Sequence, residues 1–325
     1  MRHCCIIGGT GFIGSHVADL LVSQERQVTV IGQDPRPNRL SHKARYFSGD
    51  YGDSNFLLEA LQGVTEIIDL AYATVPKTSY DDPVRDILSN LPSAVRLFEA
   101  ACELSIKRLV IISSGGTVYG KAQNMPITEY HPTNPVSPYG ITKLAIEKYA
   151  MMYHHSKNLP VICVRPSNAF GEGQKPFSGQ GFIATAIAHI LKEQEIILFG
   201  KSGTIRDYIH VSDVATGIIA ALDRGTPGSC YNIGSGVGRT NRKVLDAILP
   251  LAASAGLKVR VRVLPARRFD VPANVLDSTR LRKETGWAPM VPFEEGIQET
   301  WNWLCSNFQG FFPENDEAAS ISDIG

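Results

Sequence analysis

The sequence lacks net charge, paired cysteines and long apolar runs, and each absence excludes a class of protein. Lys and Arg together number 32, as do Asp and Glu, so no overall field attracts nucleic acid or an anionic membrane. None of the six cysteines forms a C-x-x-C pair, which argues against a zinc site or a disulfide framework. No run approaches the ~20 apolar residues that span a bilayer, and the first apolar run lacks the cleavage site of a signal peptide. We expect a soluble cytoplasmic protein with no metal, nucleic-acid or membrane partner.

The first half of the chain alternates short apolar runs with amphipathic segments. Runs this apolar are typical of strands covered on both faces, and repeated strand–helix–strand units predict an α/β fold with a doubly wound parallel sheet. The predicted strands are residues 4–7, 27–31, 66–71, 108–113 and 161–165. The predicted helices are residues 14–23, 55–61, 90–104, 142–157, 182–192 and 240–255.

The composition of the sequence changes after Pro166, where Gly and Pro become frequent and the apolar and amphipathic segments become shorter. This change predicts a smaller C-terminal substrate-binding lobe beside the sheet domain. The acidic, small and polar residues at the end predict a disordered tail. The predicted boundaries are a sheet domain at 1–166, to which 205–235 return, a substrate lobe at 167–204 and 236–312, and a tail at 313–325.

A glycine loop joins the first predicted strand to the first predicted helix. Gly8 permits the tight turn, Gly11 lets the backbone approach a pyrophosphate, and Gly14 lets helix and strand pack closely. The free N–H groups at the start of the helix, among them those of Phe12 and Ile13, bind the pyrophosphate. Because the loop stands between a strand and a helix, it predicts a nicotinamide-dinucleotide site.

The end of the second predicted strand carries a glycine where a carboxylate would settle the choice of cofactor. A carboxylate there binds the ribose hydroxyls of NAD and repels the phosphate of NADP. Gly32 occupies that place. Either Asp34 substitutes from two residues on, or Arg36 and Arg39 accept a phosphate. Charge alone leaves NAD and NADP open.

Tyr139 and Lys143 stand four residues apart at the start of a predicted helix, so they share one helical face. A tyrosine titrates near ~10 and is a poor base at neutral pH. An adjacent ammonium and a positive nicotinamide ring both favour the phenolate and lower its pKa. Because the pair follows a glycine loop and five alternating strand–helix units along the chain, it predicts a proton-transfer site.

Several further motifs carry a family resemblance: residues 113–120 (SSGGTVYG), 165–168 (RPSN), 206–213 (RDYIHVSD) and 231–236 (YNIGSG). Together with the glycine loop and the Tyr139–Lys143 pair, they make residues 2–304 resemble an extended short-chain dehydrogenase/reductase with a Rossmann domain. The resemblance is to the NAD-dependent epimerase/dehydratase group, and most of all to UDP-hexose 4-epimerases. It implies an NAD-dependent homodimer acting on a UDP-sugar, paired through the helices that contain Asn90 and Thr142.

The resemblance also implies catalytic roles. Tyr139 would act as base and acid at the sugar 4-hydroxyl, and Lys143 would bind the nicotinamide ribose and tune Tyr139. The family's third catalytic group, a Ser or Thr, corresponds to Gly115 here, so Ser114 or Thr117 must replace it, and Thr117 is our choice. The Asp-Glu pair of sugar 4,6-dehydratases corresponds to Gly116 and Thr117, which argues against a 4,6-dehydration.

The remaining implied ligands divide between the two halves of the site. Asp50 would meet the adenine amino group, and Ala71 and Ser113 would lie along the cofactor. Two guanidinium groups suit a diphosphate and a carboxylate suits a diol. The implied substrate ligands are Asn168 and Gln180, the arginine clamp of Arg206 and Arg268, and Asp270 at the uridine ribose.

Two other functions stay open at this stage. A nucleotide-sugar reductase would keep the fold and release NAD(P) after one reduction or oxidation. A dinucleotide-sensing protein without turnover would keep the glycine loop, although Tyr139 and Lys143 argue against it.

Overall fold

The computed structural model describes residues 2–37, 40–266 and 271–311. Its helices are α1 (Phe12–Ser23), α2 (Ser54–Ala60), α3 (Pro76–Asp81), α4 (Pro83–Glu103), α5 (Pro138–Lys157), α6 (Phe182–Leu191), α7 (Val211–Arg224), α8 (Asn241–Ser254), α9 (Thr279–Thr285) and α10 (Phe293–Phe311). Its strands are β1 (His3–Ile7), β2 (Gln27–Gly32), β3 (Arg45–Ser48), β4 (Glu66–Asp69), β5 (Arg108–Ile112), β6 (Val161–Pro166), β7 (Asn168–Phe170), β8 (Glu195–Phe199), β9 (Ile205–His210), β10 (Cys230–Ile233), β11 (Gly238–Thr240), β12 (Arg260–Leu264) and β13 (Ala273–Asn274).

Seven parallel strands form the central sheet, in the order β10-β6-β5-β4-β1-β2-β3. Successive side chains of a strand point to opposite faces. In β1, Cys4 and Ile6 accordingly enter the core beneath α1 and α7, whereas Cys5 and Ile7 enter the core beneath α2, α4 and α5. The predicted doubly wound α/β fold is confirmed.

Some helices and strands were not predicted from the sequence pattern. The strand β3 lies at the edge of the sheet and pairs with β2 alone; its two end residues are exposed, so it lacks the apolar run of a central strand. The helix α4 begins at Pro83 instead of residue 90, because the Asp82 side chain accepts the Arg85 N–H and a proline suits the first turn. The side chains of its first turns point largely to solvent, so apolar periodicity gave no sign of them.

The strand β9 corrects one expectation about residues 205–235. We expected this segment to return to the central sheet, and α7 and β10 do pack there. However, β9 pairs with β7, β11 and β13 in a separate four-stranded sheet. The buried Asp207 of β9 accepts N–H groups from Ser235, Gly236 and Leu276, which fixes this strand to the C-terminal half.

The C-terminal half has a core of its own, formed by α6, α8, α10 and the strands beside them. The short sheet of β8 and β12 completes it. Of the part of the chain described here, no helix is long and apolar enough to cross a membrane. The predicted tail at 313–325 lies outside the described residues.

Candidate active site

The glycine loop leaves the start of α1 open to a ligand. Gly8 has a φ of 75°, and a Cβ there would lie 2.9 Å from the Ala71 nitrogen. A Cβ at Gly14 would collide with the Gly8 carbonyl oxygen. The residue before the helix, Gly11, supplies no capping side chain, so the first-turn N–H groups, including those of Phe12 and Ile13, are left for an anion.

The segment after β2 holds the residues on which the choice of cofactor depends. The Asp34 side chain is exposed, and its backbone carbonyl accepts hydrogen bonds from Tyr46 and Ser48. The Arg36 guanidinium donates to the carbonyl oxygens of Ser41 and Ala44, at 2.6 and 3.0 Å. It is therefore engaged with the backbone, and Arg39 lies outside the described residues.

Three further predicted cofactor ligands follow the carboxyl ends of strands of the central sheet. Asp50 follows β3, is exposed, and accepts the Gly52 N–H at 2.8 Å. Ala71 follows β4 beside Gly8. Ser113 follows β5, and its hydroxyl is buried without a hydrogen-bond partner among the described residues. Parallel strands place such residues along one edge, where dinucleotides bind.

The structure brings Tyr139 and Lys143 together at the start of α5. The Ser137 side chain caps this helix by accepting the Gly140 N–H at 3.1 Å. The Lys143 ammonium donates to the Ile112 carbonyl at 2.8 Å and lies 5.9 Å from the Tyr139 ring centre. Burial lowers the pKa of Lys143 to about 8, although Asp69 opposes that shift.

The protein's own groups raise the pKa of Tyr139, against the lowering that the sequence led us to expect. Burial is the largest cause, and the Asp86 carboxylate adds to it; a hydrogen bond with the Ser114 hydroxyl opposes both. The Lys143 ammonium, 5.9 Å from the ring centre, does not offset the effect of burial, so it does not by itself produce a phenolate here. A positive nicotinamide ring is the remaining group that favours the phenolate.

Three residues that the sequence analysis missed surround this pair. The Tyr72 ring lies 4.9 Å from the Tyr139 ring and 3.9 Å from the Lys143 ammonium, so it confines both side chains. Asp86 is fully buried and accepts hydrogen bonds from Thr74 and Tyr72. Burial raises the pKa of Asp69 to about 6, against the lowering effect of Lys143. The sequence could have revealed Asp69, because it is an acidic residue at the end of an apolar strand. It gave no comparable sign of Asp86, which lies within a helix.

Packing explains why a glycine stands at 115. A Cβ there would lie 2.9 Å from the Arg165 carbonyl oxygen and would overlap the Leu276 side chain. Of the two substitute hydroxyls, that of Ser114 lies close enough to the Tyr139 phenol to lower its pKa. The Thr117 hydroxyl, our choice, is buried and has no hydrogen-bond partner within the described chain. Proximity to Tyr139 thus distinguishes Ser114 from Thr117.

The predicted substrate ligands border the same edge. A Cβ at Gly116 would lie 3.9 Å from both the Asn168 Oδ1 and the Ser114 Oγ, so Asn168 lies close to Ser114. Its Oδ1 is buried and without a partner among the described atoms. Beside Arg206 in the register, Asn274 donates to the Gly115 carbonyl at 3.0 Å.

The remaining predicted substrate ligands are Gln180, Arg268 and Asp270. Gln180 is exposed, in a segment whose Gly179 would carry a Cβ 3.2 Å from the Val75 side chain. That segment therefore touches the one that follows β4. Arg268 and Asp270 lie outside the described residues.

The site as a whole fits NAD. An uncapped helix start meets glycines whose missing side chains leave room for a pyrophosphate. Farther along the edge, the Ser113 and Thr117 hydroxyls lack partners among the described residues, and the Tyr139–Lys143 pair follows. These residues can hold a dinucleotide and transfer a proton beside its reactive end.

Comparison with known proteins agrees with this geometry. The sequence model of the NAD-dependent epimerase/dehydratase family matches residues 4–234. A UDP-glucose 4-epimerase of Mycolicibacterium smegmatis is 33% identical over 305 residues, covering 91% of this chain and 96% of the relative. Both findings confirm the resemblance seen in the sequence.

Solved structures give the same result. The Thermus thermophilus UDP-glucose 4-epimerase in complex with NAD superposes with a TM-score of 0.86 at 31% identity, covering 94% of this chain and 99% of that one. The Thermotoga maritima UDP-glucose 4-epimerase with UDP-glucose superposes with a TM-score of 0.89 at 27% identity, covering 94% and 100%. The chain therefore belongs to the NAD-dependent epimerase/dehydratase family.

Proposed function

We propose that this protein inverts the C4 configuration of a UDP-hexose of the UDP-glucose/UDP-galactose type, through a transient 4-keto sugar, with NAD. The observation that carries the proposal is the pair formed by the half-buried Tyr139 and the buried Lys143 at the carboxyl edge of the sheet, beside the open start of α1. Relatives that share this fold along nearly their whole length include several UDP-glucose 4-epimerases, alongside a dTDP-4-dehydro-6-deoxyglucose reductase and a dTDP-glucose 4,6-dehydratase.

The chain's own residues supply the proton chemistry and the positioning. NAD held at this edge would supply hydride transfer from C4 of the sugar and back to its opposite face. Tyr139 takes the 4-hydroxyl proton at its phenol oxygen and gives it back. Lys143 is held by the Ile112 carbonyl and the Tyr72 ring, and places its positive charge near the ribose and the phenol.

The third hydroxyl of the reaction is the Ser114 hydroxyl in this proposal. It lies near the phenol and lowers the pKa of Tyr139, so it favours the phenolate and would stand beside the 4-oxygen of the bound sugar. Thr117, without a partner among the described residues, is then available to another oxygen of the sugar or cofactor.

Substrate binding follows from charge and position. Asn168, with its buried and unpartnered Oδ1 near Ser114, and Arg206 on the adjoining strand would hold the diphosphate. Gln180 would face the sugar or uracil. Arg268 and Asp270 would complete the diphosphate and ribose contacts.

The test is C4 inversion without added cofactor. Purified protein is incubated with UDP-glucose, UDP-galactose and their N-acetyl forms, and the sugar signals are followed by NMR. We expect interconversion of at least one pair, with NAD copurifying. Tyr139→Phe should abolish turnover, whereas Tyr153→Phe, on the same helix but bonded to Glu99, should not. No interconversion with or without NAD would refute the proposal, and consumption of NADPH would indicate a reductase.

We also propose a cytoplasmic homodimer, paired through α4 and α5. These two helices pack together and present apolar side chains to solvent, namely Val84, Ile87, Leu88, Ile141, Tyr149 and Met152. A contiguous apolar surface of this kind is typical of an interface. Sedimentation should show a dimer, and Leu88→Glu should convert it to a monomer.

A further inference from the structure

Gly32 ends β2, at the place where dinucleotide-binding proteins carry the acid that contacts the adenosine ribose. A Cβ at Gly32 would lie 2.5 Å from the Tyr46 hydroxyl oxygen and 3.3 Å from the Thr10 hydroxyl oxygen. Tyr46 belongs to β3, the edge strand that pairs with β2. Its phenol group therefore fills the space in which a side chain at 32 would begin.

The Tyr46 hydroxyl has a fixed orientation. It donates its hydrogen to the Asp34 carbonyl oxygen, and the Ser48 hydroxyl lies 3.1 and 3.2 Å from the carbonyl oxygens of Gln33 and Asp34, to either of which it can donate. With its hydrogen engaged, the phenol oxygen offers lone pairs, so it can accept a hydrogen bond from a ribose hydroxyl but cannot donate one to a phosphate.

The charged groups around Tyr46 also favour a ribose 2′-hydroxyl over a 2′-phosphate. Burial and the nearby Asp34 raise the pKa of Tyr46, against the effect of Arg36, so the phenol stays neutral at neutral pH. Arg36, the described cation nearest in sequence to Gly32 and Asp34, donates to the backbone carbonyls of Ser41 and Ala44. A 2′-phosphate would thus meet an acceptor oxygen and a carboxylate, and two of the Arg36 N–H groups are already donated to the backbone.

We propose that Tyr46 replaces the missing acid as the residue that selects NAD over NADP, by accepting a hydrogen bond from the 2′-hydroxyl of the adenosine ribose. The sheet makes this possible because Gly32 leaves room that the neighbouring strand fills. The inference concerns cofactor binding, so it does not depend on which sugar the enzyme takes.

The test compares cofactor affinities of the wild type and Tyr46→Phe by titration calorimetry, on protein freed of its nucleotide. The phenyl ring keeps the space at Gly32 filled while the hydroxyl is lost. A net hydrogen bond corresponds to about a 5–10-fold change in affinity. We expect Tyr46→Phe to bind NAD about 5–10-fold more weakly and NADP no more weakly than the wild type does.

A cofactor lacking the 2′-hydroxyl makes the test specific. The wild type should bind 2′-deoxyadenosine NAD about 5–10-fold more weakly than NAD, and Tyr46→Phe should bind both equally. Tyr153→Phe should behave as the wild type. If Tyr46→Phe proves unstable, Tyr46→Ala combined with Gly32→Asp should restore discrimination between NAD and NADP. The proposal would be overturned by an unchanged NAD affinity in Tyr46→Phe. It would also be overturned if the wild type bound NAD and 2′-deoxyadenosine NAD with equal affinity. Because these readouts are binding constants, they stand even if no UDP-hexose is turned over.

Discussion

Gly115→Ala tests the explanation for the missing catalytic hydroxyl. The added Cβ would lie 2.9 Å from the Arg165 carbonyl oxygen and inside the space of the buried Leu276 side chain. Forcing a methyl group into a packed core costs about 1–3 kcal/mol. The leucine can move, but the backbone oxygen cannot, so we expect a loss in the upper part of that range.

Gly116→Ala is the matched control, since the nearest atoms to a Cβ there lie 3.9 Å away. We expect it to change the free energy of unfolding by less than about 0.5 kcal/mol. Both variants are measured by urea unfolding and by Tm, where 1 kcal/mol corresponds to about 2–4 °C in a domain of 150–250 residues.

A double-mutant cycle isolates the contact with Leu276. Leu276→Ala alone leaves a cavity and should cost about 2–5 kcal/mol. Combined with Gly115→Ala, the new methyl group occupies part of that cavity, so the double variant should be more stable than the sum by about 0.5–3 kcal/mol. Additive losses, or a Gly115→Ala variant as stable as Gly116→Ala, would refute the reasoning. Gly115→Ser, which restores the family's hydroxyl, should then bring no gain in turnover.

Three further predictions concern the site and its support. Ser114→Ala should lower kcat about 100-fold or more by removing a transition-state hydrogen bond, and a larger loss in Thr117→Ala would reverse our assignment. Because burial lowers the pKa of Lys143 to about 8, its ammonium is lost above that pH, so kcat/KM should fall as the pH rises through about 8; a flat profile to pH ~10 would contradict this. Arg165→Met should cost about 3–5 kcal/mol, because it leaves the buried Glu147 carboxylate without its two hydrogen bonds from Arg165, and Arg165→Met with Glu147→Leu should recover most of that stability in thermal unfolding.

Buried strands were predicted from the sequence more accurately than exposed strands and exposed helix ends. Central strands such as β1 and β4 were predicted within one or two residues at each end, because both their faces are buried and their side chains are mostly apolar. The edge strand β3 and the first turns of α4 were missed, since exposed residues need not follow apolar periodicity. The strand β9 was placed in the wrong sheet, because its burial pattern does not specify which strand it pairs with.

Within the site, the sequence by itself determined what depends on neighbours along the chain. The glycine loop follows from the turn between β1 and α1, and the Tyr139–Lys143 pair follows from the helical repeat. Both lie where that spacing placed them.

Only the tertiary structure decided which distant side chains fill the space beside them. Leu276 occupies the place of a side chain at Gly115, and Tyr46 occupies the place of one at Gly32. Asp86 approaches Tyr139 from another helix. Close packing leaves each such space to a single side chain, but spacing along one sequence does not reveal which strand or helix supplies it.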